Sequence, residues 1–136
     1  MADMNALVRW TGEGLQFIAG AEGKPRTLLD GNGAVAPSPV ASLLLALGAC
    51  SASDVVEITS KMRVPIASLE LRLEGDRAPQ PPRRFTRIRL VYSAGGVAES
   101  DREKVKRAVD LSHEKYCSVL HTLRSDTEIG TELEFV

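Results

Sequence analysis

Residues 31–53 carry no charged side chain. In so short a chain, an uncharged run of that length is either a membrane span or the element on which everything else is assembled. The composition of the run decides between them. Pro37, Ser38, Pro39, Ser42, Gly48, Ser51 and Ser53 interrupt it, and the strongly apolar part is confined to residues 39–50, too short to cross a bilayer. The segment therefore predicts a buried helix. Ser38 can cap it and Pro39 suits its first position. Lys61, Met62 and Arg63 supply the cations that favour a C-terminal end, and Pro65 stops it. A helix over those residues is about 36 Å long at 1.5 Å per residue. It is expected to run through the core.

The rest of the chain has to cover that helix. With 136 residues there is room for one domain, residues 1–136. The 43% hydrophobic and 26% charged residues match ordinary globular composition. Seventeen Lys and Arg against eighteen Asp and Glu leave a net charge of −1, without the clustered cations that nucleic acid or an anionic membrane requires. Neither is expected as a partner. Residues 1–10 lack a basic stretch followed by an apolar run, so a cytoplasmic location is expected.

Period-two alternation marks the strands. Leu69, Leu71 and Leu73 alternate with Glu70, Arg72 and Glu74, and Ile88, Leu90 and Tyr92 with Arg87 and Arg89. The Pro79-Gln80-Pro81-Pro82 loop between them predicts a hairpin. Ile129, Leu133 and Phe135 against Glu128, Glu132 and Glu134 predict a last strand. Residues 6–10, 15–19 and 26–29 read as short strands divided by glycine-rich turns, including Asp30-Gly31-Asn32-Gly33. A second helix is expected from Ser100, where Ser100 and Glu103 match a capping box. Val105, Ala108, Val109, Ser112, Tyr116 and Cys117 would form its packing stripe. Strands, helix, hairpin, helix and strand in that order give an α+β chain rather than a βαβ repeat.

The chemistry rests on two cysteines, Cys50 and Cys117, with no Cys-x-x-Cys pair. A permanent structural disulfide is not expected in a reducing compartment, which leaves inert burial, metal ligation or redox work. Asp54, at i+4, falls on the same helix face as Cys50. If the second helix continues, His113, Cys117 and His121 share one face, and with Cys50 they make a Cys2His2 set of the kind zinc accepts. The usual local ligand spacing is absent, and solvated or helix-capping histidines account for the same residues.

Residues 38–56, SPVASLLLALGACSASDVV, resemble the first cysteine motif of the OsmC/Ohr family, the osmotically inducible and organic-hydroperoxide-resistance proteins. Residues 111–119, LSHEKYCSV, resemble its second. The two motifs occur in order, the resemblance covers nearly the whole chain, and it is closest to the OsmC-like branch. It implies antiparallel sheets packed on two core helices in an intertwined homodimer, and thiol-dependent reduction of organic hydroperoxides without cofactor or metal. Cys50 would be the peroxidatic residue and Cys117 the resolving one, with an external dithiol as reductant. Arg26 would be the catalytic cation, with Arg9 next in line. Family members carry a Glu that orients this Arg, within the stretch occupied here by Val40, Ala41 and Ser42. No carboxylate stands there, which leaves Asp30 or Asp54 as possible substitutes. The competing readings are a redox-sensing or small-ligand-binding protein of the same fold, and a zinc-binding structural protein.

Overall fold

Each run of alternating residues becomes a strand in the computed structural model, which describes residues 2–136. In chain order the elements are β1 (Ala6–Trp10), β2 (Gln16–Ala21), β3 (Thr27–Asp30), α1 (Pro39–Lys61), β4 (Ser68–Arg77) and β5 (Phe85–Gly95). A 3-10 turn (Glu99–Asp101), α2 (Arg102–Leu111), a π turn (Ser112–Tyr116), α3 (Ser118–Thr122) and β6 (Glu128–Phe135) follow. The architecture is α+β, as expected. The chain divides into two compact units, residues 1–43 and 44–136, with the boundary early in α1.

The first unit holds a three-stranded antiparallel sheet in the order β1-β2-β3. Gly12 and Gly14, at φ 93° and 47°, make the β1–β2 turn in a region other residues avoid. The Trp10 indole N–H donates to the Gly14 carbonyl at 3.0 Å. After β3 the chain is organised by Asp30, whose carboxylate accepts from the backbone N–H groups of Asn32, Ala34 and Val35 at 2.9–3.0 Å. Those bonds, led by Val35 and Asn32, hold its carboxyl below the usual range. Ser38 then caps α1 by accepting from the Ala41 N–H at 3.1 Å.

The second unit holds the sheet β4-β5-β6. β4 and β5 form the expected hairpin, pairing from Ser68↔Gly95 to Arg77↔Phe85 with a bulge at Asp76/Arg77. β6 corrects the expectation of antiparallel pairing throughout: it runs parallel to β5, from Arg87↔Glu128 to Ala94↔Phe135. A parallel neighbour requires a long crossover, and α2, the π turn and α3 supply it. Leu47 and Val55 of α1, Ile88, Leu90 and Tyr92 of β5, and Ala108, Val109 and Cys117 form the core. Gly48 permits the close approach of α1 to the sheet, since a Cβ there would lie 2.6 Å from Leu73 Cδ1.

Three further expectations are corrected. α1 buries one face, through Leu47, Gly48, Ser51, Val55 and Thr59, while Leu43, Leu45 and Val56 are exposed. The apolar run is thus continuous around the helix although this chain covers only part of it. The Ser100–Glu103 capping box does not form: the 3-10 turn starts a residue before Ser100, so Ser100 is already inside a turn, and α2 begins at Arg102 without a side-chain cap. Tyr116 drops out of the expected packing stripe of the second helix, because the π turn changes the helical phase and leaves it exposed, while Cys117 stays in the core.

Candidate functional site

Cys117 sits where the second helix breaks. The π turn closes with a bond from the Cys117 N–H to the Ser112 carbonyl at 3.0 Å. Cys117 itself is extended, at φ −72° and ψ 100°, and becomes the N-cap of α3. The side chain is completely buried. Its Sγ accepts from the Ser51 hydroxyl at 3.3 Å and from the Leu120 N–H at 3.4 Å.

Cys50, on α1, is half-buried and packs on the core cluster that contains Cys117. The two thiols are near enough for Cys50 to disfavour ionisation of Cys117. Burial pushes the Cys117 thiol up from its ordinary value, the Ser51 and Leu120 donors oppose that shift, and the adjoining Cys50 adds to it. The pair is therefore asymmetric: one sulfur partly open, the other enclosed and held as a thiol.

A polar shell that the sequence reading missed surrounds the enclosed sulfur. The Ser112 hydroxyl donates to Asp54 Oδ2 at 2.8 Å and reaches the Ser51 carbonyl at 3.5 Å. Tyr92 neighbours Ser51 and Ser112, and burial foremost pushes its hydroxyl up to about 12. Ser51, Ser112 and Tyr92 are each 1% exposed or less. Ser51 and Asp54 stand inside the first cysteine motif and Ser112 inside the second, so position in the motifs was the available signal. Tyr92 was legible only as an inward-facing strand residue. Asp54 faces Ser112, which accounts for the carboxylate at i+4 from Cys50.

The other candidates are placed differently. Arg26 precedes β3 by one residue rather than lying on the strand, and Arg9 lies on β1; both are exposed and belong to the first unit, whereas both cysteines belong to the second. Asp30 is engaged by its own loop. His113 and His121 do not continue one helix face through Cys117. His121 Nε2 lies 3.0 Å from the His113 carbonyl, and His113 Nδ1 is buried without a partner. Among the described residues no group of three or more His, Cys, Asp or Glu is arranged to hold a metal ion.

Comparison with known proteins bears on the family and the fold. A family model described as OsmC-like protein matches residues 30–132, which include both cysteines. Protein YhfA of Escherichia coli strain K12 is 42% identical over 134 residues, covering 98% of each chain. A hypothetical protein from Aquifex aeolicus superposes with a TM-score of 0.82 at 27% identity, over 100% of this chain and 99% of that one. The organic hydroperoxide resistance protein OhrB of Bacillus subtilis shares the fold, with a TM-score of 0.62 at 16% identity over 98% of each chain.

Proposed function

The chain belongs to the OsmC-like family, and from that premise we propose that it is a thiol-dependent peroxidase acting on organic hydroperoxides. The observation that carries this reading is the asymmetric pair, a half-buried Cys50 beside a fully enclosed Cys117. A peroxidatic sulfur has to meet substrate, and a resolving sulfur has only to meet the first.

The Cys50 thiolate attacks the terminal peroxide oxygen, forming an S–O bond as the O–O bond breaks, and the departing alkoxide takes a proton to become the alcohol. Cys117 then attacks Cys50, forming the disulfide as water leaves. An external dithiol restores both thiols. Arg26, with Arg9 as the alternative, supplies the cation that favours the Cys50 thiolate and polarises the peroxide. The apolar surface of α1 around Cys50 suits an alkyl substituent, worth about 0.8 kcal/mol per buried CH₂. The working form is a homodimer in which a second copy covers the apolar faces left open on one chain. A cytoplasmic location supplies the reducing conditions the cycle needs.

Single-turnover oxidation tests the reading. Excess cumene hydroperoxide should consume two thiols per chain and yield a Cys50–Cys117 disulfide in non-reducing peptide maps. Both thiols remaining free in folded protein would overturn it.

A further inference from the structure

The enclosed position of Cys117 raises a question of proton traffic. Resolution converts Cys117–SH and Cys50–SOH into a disulfide and water, so the thiol proton must leave a sulfur with no exposed surface. The titratable groups against that sulfur are Cys50, which is the reaction partner, and Tyr92, whose hydroxyl holds its proton far above neutrality. Among the described residues, the one carboxylate tied into the shell is Asp54, half-buried at its edge and bonded to Ser112 at 2.8 Å. Ser51 touches the sulfur, Ser112 touches Asp54 and reaches the Ser51 carbonyl at 3.5 Å, and the buried Tyr92 neighbours both serines.

We propose that Ser51, Tyr92 and Ser112 form a proton path from Cys117 to Asp54, in which the Ser51 hydroxyl turns from donating to the sulfur to accepting its proton, and that Asp54 receives the thiol proton during disulfide closure and passes it to solvent. This rests on the peroxidase reading only for the source of the sulfenic acid, since any closure of the pair must deprotonate Cys117. The balance is simple. Cys117 sulfur bonds to Cys50 sulfur, the S–O bond breaks, and the leaving hydroxide is protonated from water as Asp54 returns its proton to solvent. Asp54 and the hydroxyls are positioning and relay residues; they touch neither peroxide nor reductant.

The path has a kinetic signature. Closure that relies on dissolved hydroxide accelerates about tenfold per pH unit below the thiol pKa, whereas relayed closure is nearly flat once the carboxylate is ionised. Asp54→Asn keeps an oxygen to accept from Ser112 while removing the base. It should slow closure about a hundredfold near pH 7 and restore the steep pH dependence. Asp54→Glu should recover much of the flat profile, which a purely structural role would not do.

Closure can be followed in two ways on the full-length protein, by stopped-flow after cumene hydroperoxide and after diamide. Diamide drives the same closure without a peroxide, its diazene being reduced to the hydrazine as the pair oxidises. If hydroperoxide leaves Cys50 unoxidised while diamide closes the pair with the expected Asp54 dependence, the peroxidase reading is overturned and the path stands. If Asp54→Asn closes as fast as the parent at every pH with diamide, the path is overturned whatever hydroperoxide does. Should Asp54→Asn not fold, Ser112→Ala severs the same path and is held to the same criterion.

Discussion

Residues 1–43 and residues 44–136 solve the problem of staying folded in different ways. Among the described residues, the first unit buries one apolar side chain, Ala19, and leaves Leu7, Val8, Trp10 and Leu15 exposed; the second contains every other buried apolar residue, from Leu47 to Cys117. Strand pairing in the first is regular nonetheless, with β1 and β2 in register over five residues. Backbone hydrogen bonding and turn geometry are thus enough to shape a small sheet, but a sheet of this size gains independent stability only from a buried face. Leu7 and Val8 point to opposite faces of β1, so both faces of this sheet carry exposed apolar side chains. The second unit carries its own core and, within it, the thiol pair.

The sharpest way to test that contrast is through activity. Cys50→Ser, in the second unit, should abolish hydroperoxide turnover. Cys117→Ser should still allow one oxidation, trapping a sulfenic acid on Cys50 that mass spectrometry detects. Arg26→Ala, in the first unit, should slow Cys50 oxidation about a hundredfold, the usual cost of removing one electrostatic stabiliser. An unchanged rate would move the cation elsewhere, with Arg9 tested next.

Stability separates the units next. Leu90→Ala, at a fully buried core position, should cost about 2–5 kcal/mol in denaturant unfolding. Val8→Ala, at 62% exposure in one chain, should cost far less in a monomer. If it approaches the Leu90 value, the face of the first sheet is covered in solution.

Concentration reads the same cover directly. For a homodimer that unfolds as it dissociates, each tenfold rise in protein should add about 1.4 kcal/mol per dimer. A melting temperature independent of concentration, with light scattering giving a folded monomer, would remove the second copy from the account.

The smallest effect is with pH. Cys117 and Tyr92 both ionise less readily when folded, Tyr92 only near about 12. In alkali the unfolded chain releases those protons first, so stability is constant through neutral pH. It should fall as pH rises past the ordinary thiol value of 9.0. Tyr92→Phe should flatten the upper part of that decline, between about pH 10 and 12.

What could be read in advance follows from the range of the forces involved. The alternation at Leu69–Leu73 and the Ser38 cap, Pro39 start and Pro65 stop of α1 are local, and strand and helix appear where they point. The capping box expected at Ser100 fails because the chain has already turned after Ala98. The parallel pairing of β6 depends on where a crossover delivers the strand, which alternation does not encode. The same holds at the site. Cys50 and Cys117 stood out from their motifs, while the bonds Ser51–Cys117 and Ser112–Asp54 join residues 66 and 58 positions apart. Such partners are ordinary serines and an ordinary aspartate until the fold brings them together.

The π turn over Ser112–Tyr116 deserves a mechanical reading. A π turn accommodates one residue more than an α-helical turn, so it works as a gear offset: everything beyond it is rotated relative to the α2 stripe. The heading of the Cys117 sulfur is thereby uncoupled from the packing of Val105, Ala108 and Val109. Substitutions along that stripe can tune the core without re-aiming the thiol. Loss of a single residue from the turn would leave the stripe in place and swing Cys117 away from both Ser51 and Cys50.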